Sequence, residues 1–124
     1  MSRPSGTGVV WWGPQHYVHV TFRLSHLQPG TTYPLGLFSA PCGQSATLLD
    51  AFPGVDPTST GTSSQTIYSR SPLANGVPAG TSLRLGSPVP RDTDSSVNAA
   101  VGLGCADIGR PISTVNGSES ITVS

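Results

Sequence analysis

The clearest pattern in the chain is an alternation of apolar and polar side chains in one early segment. From Tyr17 to Leu24 the even positions are Val, Val, Phe and Leu, and the odd positions are Tyr, His, Thr and Arg. Successive side chains of a strand point to opposite faces of a sheet, so this period of two predicts a strand buried on one face. The Pro29-Gly30 dipeptide predicts a turn, and Thr31–Phe38 is predicted as the returning strand.

Further short strands are predicted between turn-forming residues along the rest of the chain. Every segment in which apolar residues recur at helical spacing is interrupted by Pro or Gly, so no long helix is expected. The best helical candidate is a single turn within Ser45–Phe52. Asn116-Gly117 is typical of a two-residue hairpin turn. Besides the two strands above, the predicted strands are Gly8–Trp12, Thr66–Ser69, Thr81–Leu85, Asn98–Ile108 and the hairpin pair Ile112–Val115 and Ser120–Val123.

This pattern of about seven to eight short antiparallel strands with turn chemistry between them predicts an all-β Greek-key sandwich. The length of 124 residues corresponds to one domain. We therefore expect a single domain over residues 1–124, with its core at about 8–110 and a C-terminal hairpin at 111–124.

The composition restricts the range of partners. Only 10% of the residues are charged, the formal net charge is zero, and the six basic residues are arginines dispersed along the chain. Because nucleic-acid binding depends on clustered basic residues, we expect no nucleic-acid partner. No stretch approaches the roughly 20 apolar residues of a membrane span, so no span is predicted.

The chain contains two cysteines, Cys42 and Cys105, which are either disulfide-bonded or two buried thiols. In the chain-entropy account, a bridge that closes so long a loop stabilises the folded state by roughly 4 kcal/mol. We favour the disulfide, which implies an oxidising compartment. Two cysteines this far apart, without clustered histidines, make a poor metal site.

Two segments resemble the copper/zinc superoxide dismutase-like sandwich and the related CHRD-type domains. The first is His19–Tyr33, with its Leu-x-Pro-Gly turn, followed by Cys42; the second is Gly104–Ile108. The first segment alone is also similar to sequences of fibronectin type III domains, whereas the Cys-Ala-Asp-Ile end favours the dismutase-like family. The resemblance covers roughly residues 15–110. It implies a Greek-key sandwich in which Cys42 and Cys105 are bridged.

The positions that would carry dismutase chemistry hold other residues. Counted from the Pro-Gly turn, the two copper-binding histidines of the family fall on Leu35 and Leu37, and leucine cannot ligate a metal. No histidine follows His26, so the zinc ligands and the last copper ligand are missing as well. The anion-guiding arginine of the family falls on Gly102. The resemblance therefore implies the fold and the disulfide, without metal, cofactor or dismutase activity.

Few other residues are candidates for chemistry. His16, His19 and His26 are spread along one predicted strand and are expected at the surface rather than around a metal. Asp92 and Asp94 are close in sequence, but calcium sites gather more oxygen ligands, so a solvated loop is expected. The Gly-x-Ser-x-Gly elbow of serine hydrolases does not occur in the sequence. We predict no catalytic residue.

The dipeptide Trp11-Trp12 is the most unusual feature of the chain. Neighbours on a strand face opposite ways, so one tryptophan is expected in the core and the other exposed or covered by a partner. Trp11, Trp12 and Tyr17 are therefore the candidate partner-binding residues, for sugar or for protein. A tryptophan that only covers the end of the sandwich is the alternative.

These inferences together predict a non-catalytic, metal-free, dismutase-like sandwich without a cofactor. We expect it to serve as a secreted or cell-surface binding or structural module. The alternative is a self-assembling structural component of a particle, such as a virion, phage tail or surface fibre. A protein partner or self-association is compatible with both.

Overall fold

The computed structural model describes residues 4–91 and 103–124, and this part of the chain contains β-strands and loops but no helix. All pairs of adjacent strands are antiparallel. The strands in chain order are β1 (Ser5–Trp12), β2 (Val18–Ser25), β3 (Thr31–Thr32), β4 (Leu35–Phe38), β5 (Leu48–Ala51), β6 (Ser63–Tyr68), β7 (Thr81–Leu85), β8 (Val89–Pro90), β9 (Gly104–Ile108) and β10 (Ser118–Val123).

The longer strands form two four-stranded sheets. The first sheet has the order β10-β1-β2-β6, the second has the order β5-β4-β7-β9, and the short strands β3 and β8 pair separately. Several strands that follow one another in the chain lie in different sheets: β5 and β6, β6 and β7, and β9 and β10. The chain therefore crosses repeatedly between the sheets, as in Greek-key sandwiches.

The core lies between the facing sides of the two sheets. Along β2 the side chains of Val18, Val20, Phe22 and Leu24 are buried, whereas the residues between them are partly or fully exposed. Side chains from both sheets enclose a residual cavity of only about 10 Å³, close to the volume that one water probe occupies. The sheets therefore pack closely. The residues around this cavity are Val20, Phe22, Leu24, Leu35, Leu83, Leu85, Ile121 and Val123.

The all-β sandwich predicted from the sequence is confirmed, and the described residues form ten strands where seven or eight were predicted. Strands β1, β2, β6, β7 and β10 overlap predicted strands, with ends shifted by up to a few residues. Strand β9 is the second half of the predicted strand Asn98–Ile108, whose residues 98–102 lie outside the described residues.

The prediction of one strand over Thr31–Phe38 is wrong. Pro34 has no N–H to donate to a ladder, and it separates β3 from β4. The two pieces then pair with different strands: β3 with β8, and β4 with β5 and β7. The helical turn predicted within Ser45–Phe52 is also wrong. Pairing with β4 places Leu48–Ala51 in a strand, and this tertiary contact overrides a weak local preference.

The predicted hairpin pairing near the C-terminus is not formed. The turn at Asn116-Gly117 is present, with Asn116 in the left-handed region at φ 67°. However, Ile112 forms an isolated bridge with Val77, and β10 pairs with β1 instead of the segment before the turn. Pairing with β1 places the side chain of Ile121 in the core.

Cys42 and Cys105 form a disulfide between Cα atoms 5.9 Å apart, at a sequence separation of 63, and this prediction is confirmed. Cys105 lies in β9, and Cys42 lies in the loop between β4 and β5. Among the described residues, no helix is long and apolar enough to cross a membrane.

The loop that carries Cys42, residues 39–47, folds over the outer face of the second sheet; we call it the covering loop. Its position is fixed by Arg84, whose Nη2 donates to the carbonyl oxygens of Pro41 at 2.9 Å and Gln44 at 2.8 Å. The Ser82 hydroxyl donates to the Ala40 carbonyl at 2.7 Å. The Arg84 guanidinium also lies 5.2 Å from the ring centroid of Phe38, which is fully buried.

Candidate binding face

The outer face of the first sheet is open to solvent over the described residues. The strand register places its outward side chains in three rows across the four strands, and we call these rows the open face. All of its residues are exposed except Trp11 and His19, which are half-buried. The first row is Ser118, Trp11, His19 and Tyr68; the second is Ser120, Val9, Thr21 and Thr66; the third is Thr122, Thr7, Arg23 and Ser64.

Four ring side chains, Trp11, His19, Tyr68 and Tyr17, form a continuous cluster at one end of the open face; we call it the aromatic row. Trp11 stacks on His19 with ring centroids 5.1 Å apart and an interplanar angle of 12°. His19 contacts Tyr68 at 5.7 Å, and Tyr17 contacts the same tyrosine edge-on at 6.1 Å. These contacts hold the rings in place, so little conformational entropy is lost when a ligand binds.

Both ends of the aromatic row remain accessible. The register neighbour of Trp11 on β10 is Ser118, whose side chain is too small to cover an indole ring. Tyr68 lies on β6, which is an edge strand of the first sheet, and 58% of its surface is exposed. A ligand can therefore contact aromatic surface at either side of the sheet.

Trp12 does not belong to the aromatic row. Its side chain points into the sandwich and is only 6% exposed. Its indole Nε1 donates to the carbonyl oxygens of His16 and Leu73, both at 3.0 Å, and its ring stacks on the His16 ring at 4.8 Å. Trp12 therefore anchors the β1–β2 turn to the core. The tryptophan on the outward side of β1 is Trp11, which is half-buried and belongs to the same cluster as Tyr17.

Hydroxyl side chains dominate the remainder of the open face. A shallow open groove of about 450 Å³ crosses the second and third rows, and a neighbouring groove of about 420 Å³ lies towards β6. The Thr21 and Thr66 hydroxyls share a hydrogen bond of 2.7 Å. The polar residues that line the two grooves are Thr7, Thr21, Arg23, Ser25, Thr62, Ser63, Ser64, Ser120 and Thr122.

Arg23 lines both grooves and is the only charged residue among the described outward positions of the four strands. It has no hydrogen bond, ion pair or ring contact with any residue that the structure describes. Its register neighbours are Thr7 and Ser64, which carry hydroxyl groups but no charge. Among the residues that the structure describes, none therefore occupies the donors of this guanidinium.

The one buried acidic side chain in the described part of the chain lies elsewhere, at the edge of the second sheet. Asp50 is 6% exposed, and its Oδ2 has no hydrogen-bond partner among the residues described. Burial raises the pKa of Asp50, and the hydrogen bond that the Ala51 backbone N–H donates to its Oδ1 at 3.0 Å opposes this shift. Its partners include no histidine or cysteine.

The histidines do not converge on a common point. His19 belongs to the aromatic row, His16 stacks on Trp12, and His26 Nδ1 lies 3.4 Å from the hydroxyls of Ser5 and Ser25. In residues 4–91 and 103–124, no group of three or more His, Cys, Asp or Glu side chains could hold a metal ion.

The two positions that correspond to copper-binding histidines in the resemblance to dismutase-like domains lie in the core. Leu35 and Leu37 of β4 are 4% and 0% exposed, in the apolar layer between the sheets. Gly102, Asp92 and Asp94 lie outside the described residues.

No protein-family model, curated protein or solved structure matches this chain. Function therefore has to be argued from the surface itself.

Sequence reasoning missed two residues of the open face, Tyr68 and Arg23. Tyr68 lies at the end of a short predicted strand, and only the pairing of β6 with β2 places it beside His19. Arg23 is one of six dispersed arginines, and its lack of a partner is visible only in three dimensions. The alternation in β2 did assign Arg23 to the outward side, which was the one available signal.

Proposed function

We propose that this chain is a non-catalytic binding module and that its open face binds carbohydrate. The observation that carries the proposal is the aromatic row, a fixed cluster of rings on an exposed sheet face beside rows of Ser and Thr hydroxyls. The apolar C–H faces of a sugar pack on aromatic rings, and its hydroxyls exchange hydrogen bonds with hydroxyl side chains. The open face offers both kinds of group on one flat surface.

The chemistry of the open face favours a sugar over a protein partner. Protein interfaces are depleted in serine and bury a central apolar cluster. The open face instead has hydroxyl residues in all three rows, and Val9 is its only aliphatic residue. A near-neutral hydroxyl surface suits a ligand that is itself rich in hydroxyls.

We also propose that the chain is a dismutase-like sandwich that works without copper or zinc. The disulfide and the burial of Leu35 and Leu37 support this view, because a buried leucine offers no metal ligand. Elemental analysis of the purified protein after incubation with copper and zinc tests it. We expect substoichiometric metal and no dismutase activity; stoichiometric copper with activity would contradict the proposal.

The disulfide further supports an oxidising, extracellular or cell-surface location. Intact mass before and after reduction, with alkylation, tests it in protein isolated from its native source. We expect alkylation of both cysteines only after reduction.

The experiment that tests sugar binding is retention on immobilised polysaccharides, followed by calorimetry with oligosaccharides of those retained. The panel comprises cellulose, β-glucan, chitin, polygalacturonate and alginate. Tyr68→Ala should weaken binding by about fivefold, since an aromatic contact contributes roughly 1 kcal/mol. Leu48→Ala removes a comparably exposed side chain from the second sheet and is the control. Failure of the wild-type protein to bind any member of the panel would contradict the proposal.

Self-assembly is the second candidate, and one observation favours it. Strand β5 is an edge of the second sheet, and its Leu48 and Leu49 are 43% and 39% exposed. Exposed apolar edge strands pair readily with other chains. Sedimentation over a wide concentration range tests this candidate; a stable monomer throughout would contradict it, and assembly abolished by Leu48→Lys would support it.

A further inference from the structure

We infer that the carbohydrate bound by the open face is acidic, and that its carboxylate or sulfate group is bound by Arg23. This inference rests on the proposed function and adds to it the charge of the ligand and the residue that recognises it. Arg84 uses its guanidinium on backbone carbonyls, and Arg91 Nη2 donates to the Pro57 carbonyl at 2.6 Å. The side chains of Arg23, Arg70 and Arg110 have no partner among the described residues, and of these three only Arg23 lies on the open face.

The surroundings of Arg23 leave its charge uncompensated. The described outward positions of the four strands include no acidic residue, and hydroxyl groups flank Arg23 on both neighbouring strands. A guanidinium binds a planar carboxylate or a sulfate through two parallel hydrogen bonds. Two shallow grooves meet at this residue, so an oxyanion can approach the guanidinium from either side along the sheet.

The distance from Arg23 to the aromatic row sets the size of the ligand. His19 and Arg23 are four residues apart on β2, which corresponds to about 13 Å at about 3.3 Å per residue. One sugar ring cannot contact both sites. The ligand is therefore an oligosaccharide or polysaccharide that lies along β2, with a neutral ring on the aromatic row and an acidic group on Arg23.

A single arginine also limits the charge density of the ligand. Densely charged polyanions depend on many basic contacts for their affinity. The open face has one, so it fits a polysaccharide in which isolated acidic groups are separated by uncharged surface.

The test is calorimetric titration with three probes of similar length: a partly methyl-esterified oligogalacturonate whose free carboxylates are separated by esterified rings, its full methyl ester, and a sparsely sulfated neutral oligosaccharide. The ester keeps the sugar backbone without the charge, and the sulfated probe separates sulfate from carboxylate as the recognised group. The variants are Arg23→Gln and, as the control for lost charge, Arg110→Gln, which lies outside both grooves.

Wild-type protein should bind one of the two charged probes about three- to fivefold more tightly than the methyl ester, the range of an exposed ion pair. Arg23→Gln should remove this preference, so that the charged probe and the ester bind equally, and Arg110→Gln should keep it. The preference should disappear in about 1 M salt, where the Debye length is about 3 Å.

Three outcomes would overturn the inference in distinguishable ways. Equal binding of charged and esterified probes by wild-type protein refutes the acidic ligand and leaves carbohydrate binding intact. Loss of ester binding in Arg23→Gln assigns Arg23 to general contact rather than to charge recognition. Absence of binding to all three probes and to the polysaccharide panel removes the proposed function itself.

Discussion

The outer faces of the two sheets differ although the sheets have the same number of strands. On the second sheet, the covering loop, the disulfide and Arg84 enclose Phe38 and Ser82, which are both fully buried. On the first sheet, the corresponding surface holds the aromatic row and Arg23 and remains open over the described residues. One face therefore contributes to stability, and the other is available for binding.

The two arginines show the difference most directly. Both point outward from a strand of their sheet, Arg84 from β7 and Arg23 from β2. Arg84 makes hydrogen bonds to carbonyl oxygens of the covering loop, which makes it part of the fold. Arg23 makes none with the described residues, so its removal should affect a ligand and not the fold.

The largest effect is expected from removing the disulfide. Replacing both Cys42 and Cys105 by serine should lower the free energy of unfolding by about 4 kcal/mol, because the unfolded chain regains the freedom of a loop with a sequence separation of 63. Urea denaturation measures this loss. Hydrogen exchange should quicken in β4, β7 and β9 before it quickens in β1 and β2. A loss below about 1 kcal/mol, or faster exchange in the first sheet, would contradict the assignment of the covered face.

The next largest effect is a difference in stability between variants of Arg84 and Arg23. Arg84→Ala should lower the free energy of unfolding by about 2–3 kcal/mol, since it removes charge-assisted hydrogen bonds and the cover over Phe38. Arg23→Ala should change it by no more than about 0.5 kcal/mol. Chemical denaturation of both variants under one set of conditions provides the comparison. Equal losses of unfolding free energy in the two variants would contradict the view that Arg84, and not Arg23, stabilises the fold.

A pH effect should originate in the second sheet. Because burial raises the pKa of Asp50, the folded protein keeps a proton at pH values where the unfolded chain, with a pKa near 3.8, has released it. Stability should therefore fall as pH rises from about 3.8 through the raised pKa of Asp50. The measurement is the urea midpoint as a function of pH, and Asp50→Asn should remove this part of the slope.

The control for that measurement is Asp56→Asn, which removes an exposed carboxyl from the loop before β6. Identical slopes in wild-type protein and Asp50→Asn would show that the buried carboxyl does not contribute.

The smallest effect on stability is expected on the open face. Tyr68 is 58% exposed, so Tyr68→Ala should change the free energy of unfolding by no more than about 0.5 kcal/mol. The same change should weaken sugar binding by about fivefold. A thermal shift beside a binding isotherm measures both. Strong destabilisation without any loss of affinity would make the aromatic row a structural feature.

The sequence was sufficient to predict the fold class, because the alternation in β2 and the cysteine pair are local or covalent signals. It was insufficient for β5, which becomes a strand by pairing with β4 across the covering loop, and for the pairing of β10, whose partner β1 is distant in the sequence. The Asn116-Gly117 dipeptide correctly predicted a turn. It did not predict that β10, the strand after this turn, pairs with β1.

The candidate site was predictable only in part, for the same reason. Trp11 and Tyr17 carry visible aromatic signals, and neighbouring tryptophans on a strand must diverge, which accounts for the buried Trp12. The aromatic row, however, is created by register across β1, β2 and β6. No pattern within one strand gives the neighbours of His19 on the next strand.

The most direct test of the central claim uses the indole N–H signals of the only two tryptophans in the chain. In a heteronuclear NMR titration with partly methyl-esterified oligogalacturonate, the Trp11 signal should move with the amides of His19, Arg23 and Tyr68. The Trp12 signal should stay in place, because its indole N–H is hydrogen-bonded inside the sandwich. Shifts confined to Trp12 or to the covering loop, or no shift at either tryptophan, would contradict the assignment of the open face as the binding surface.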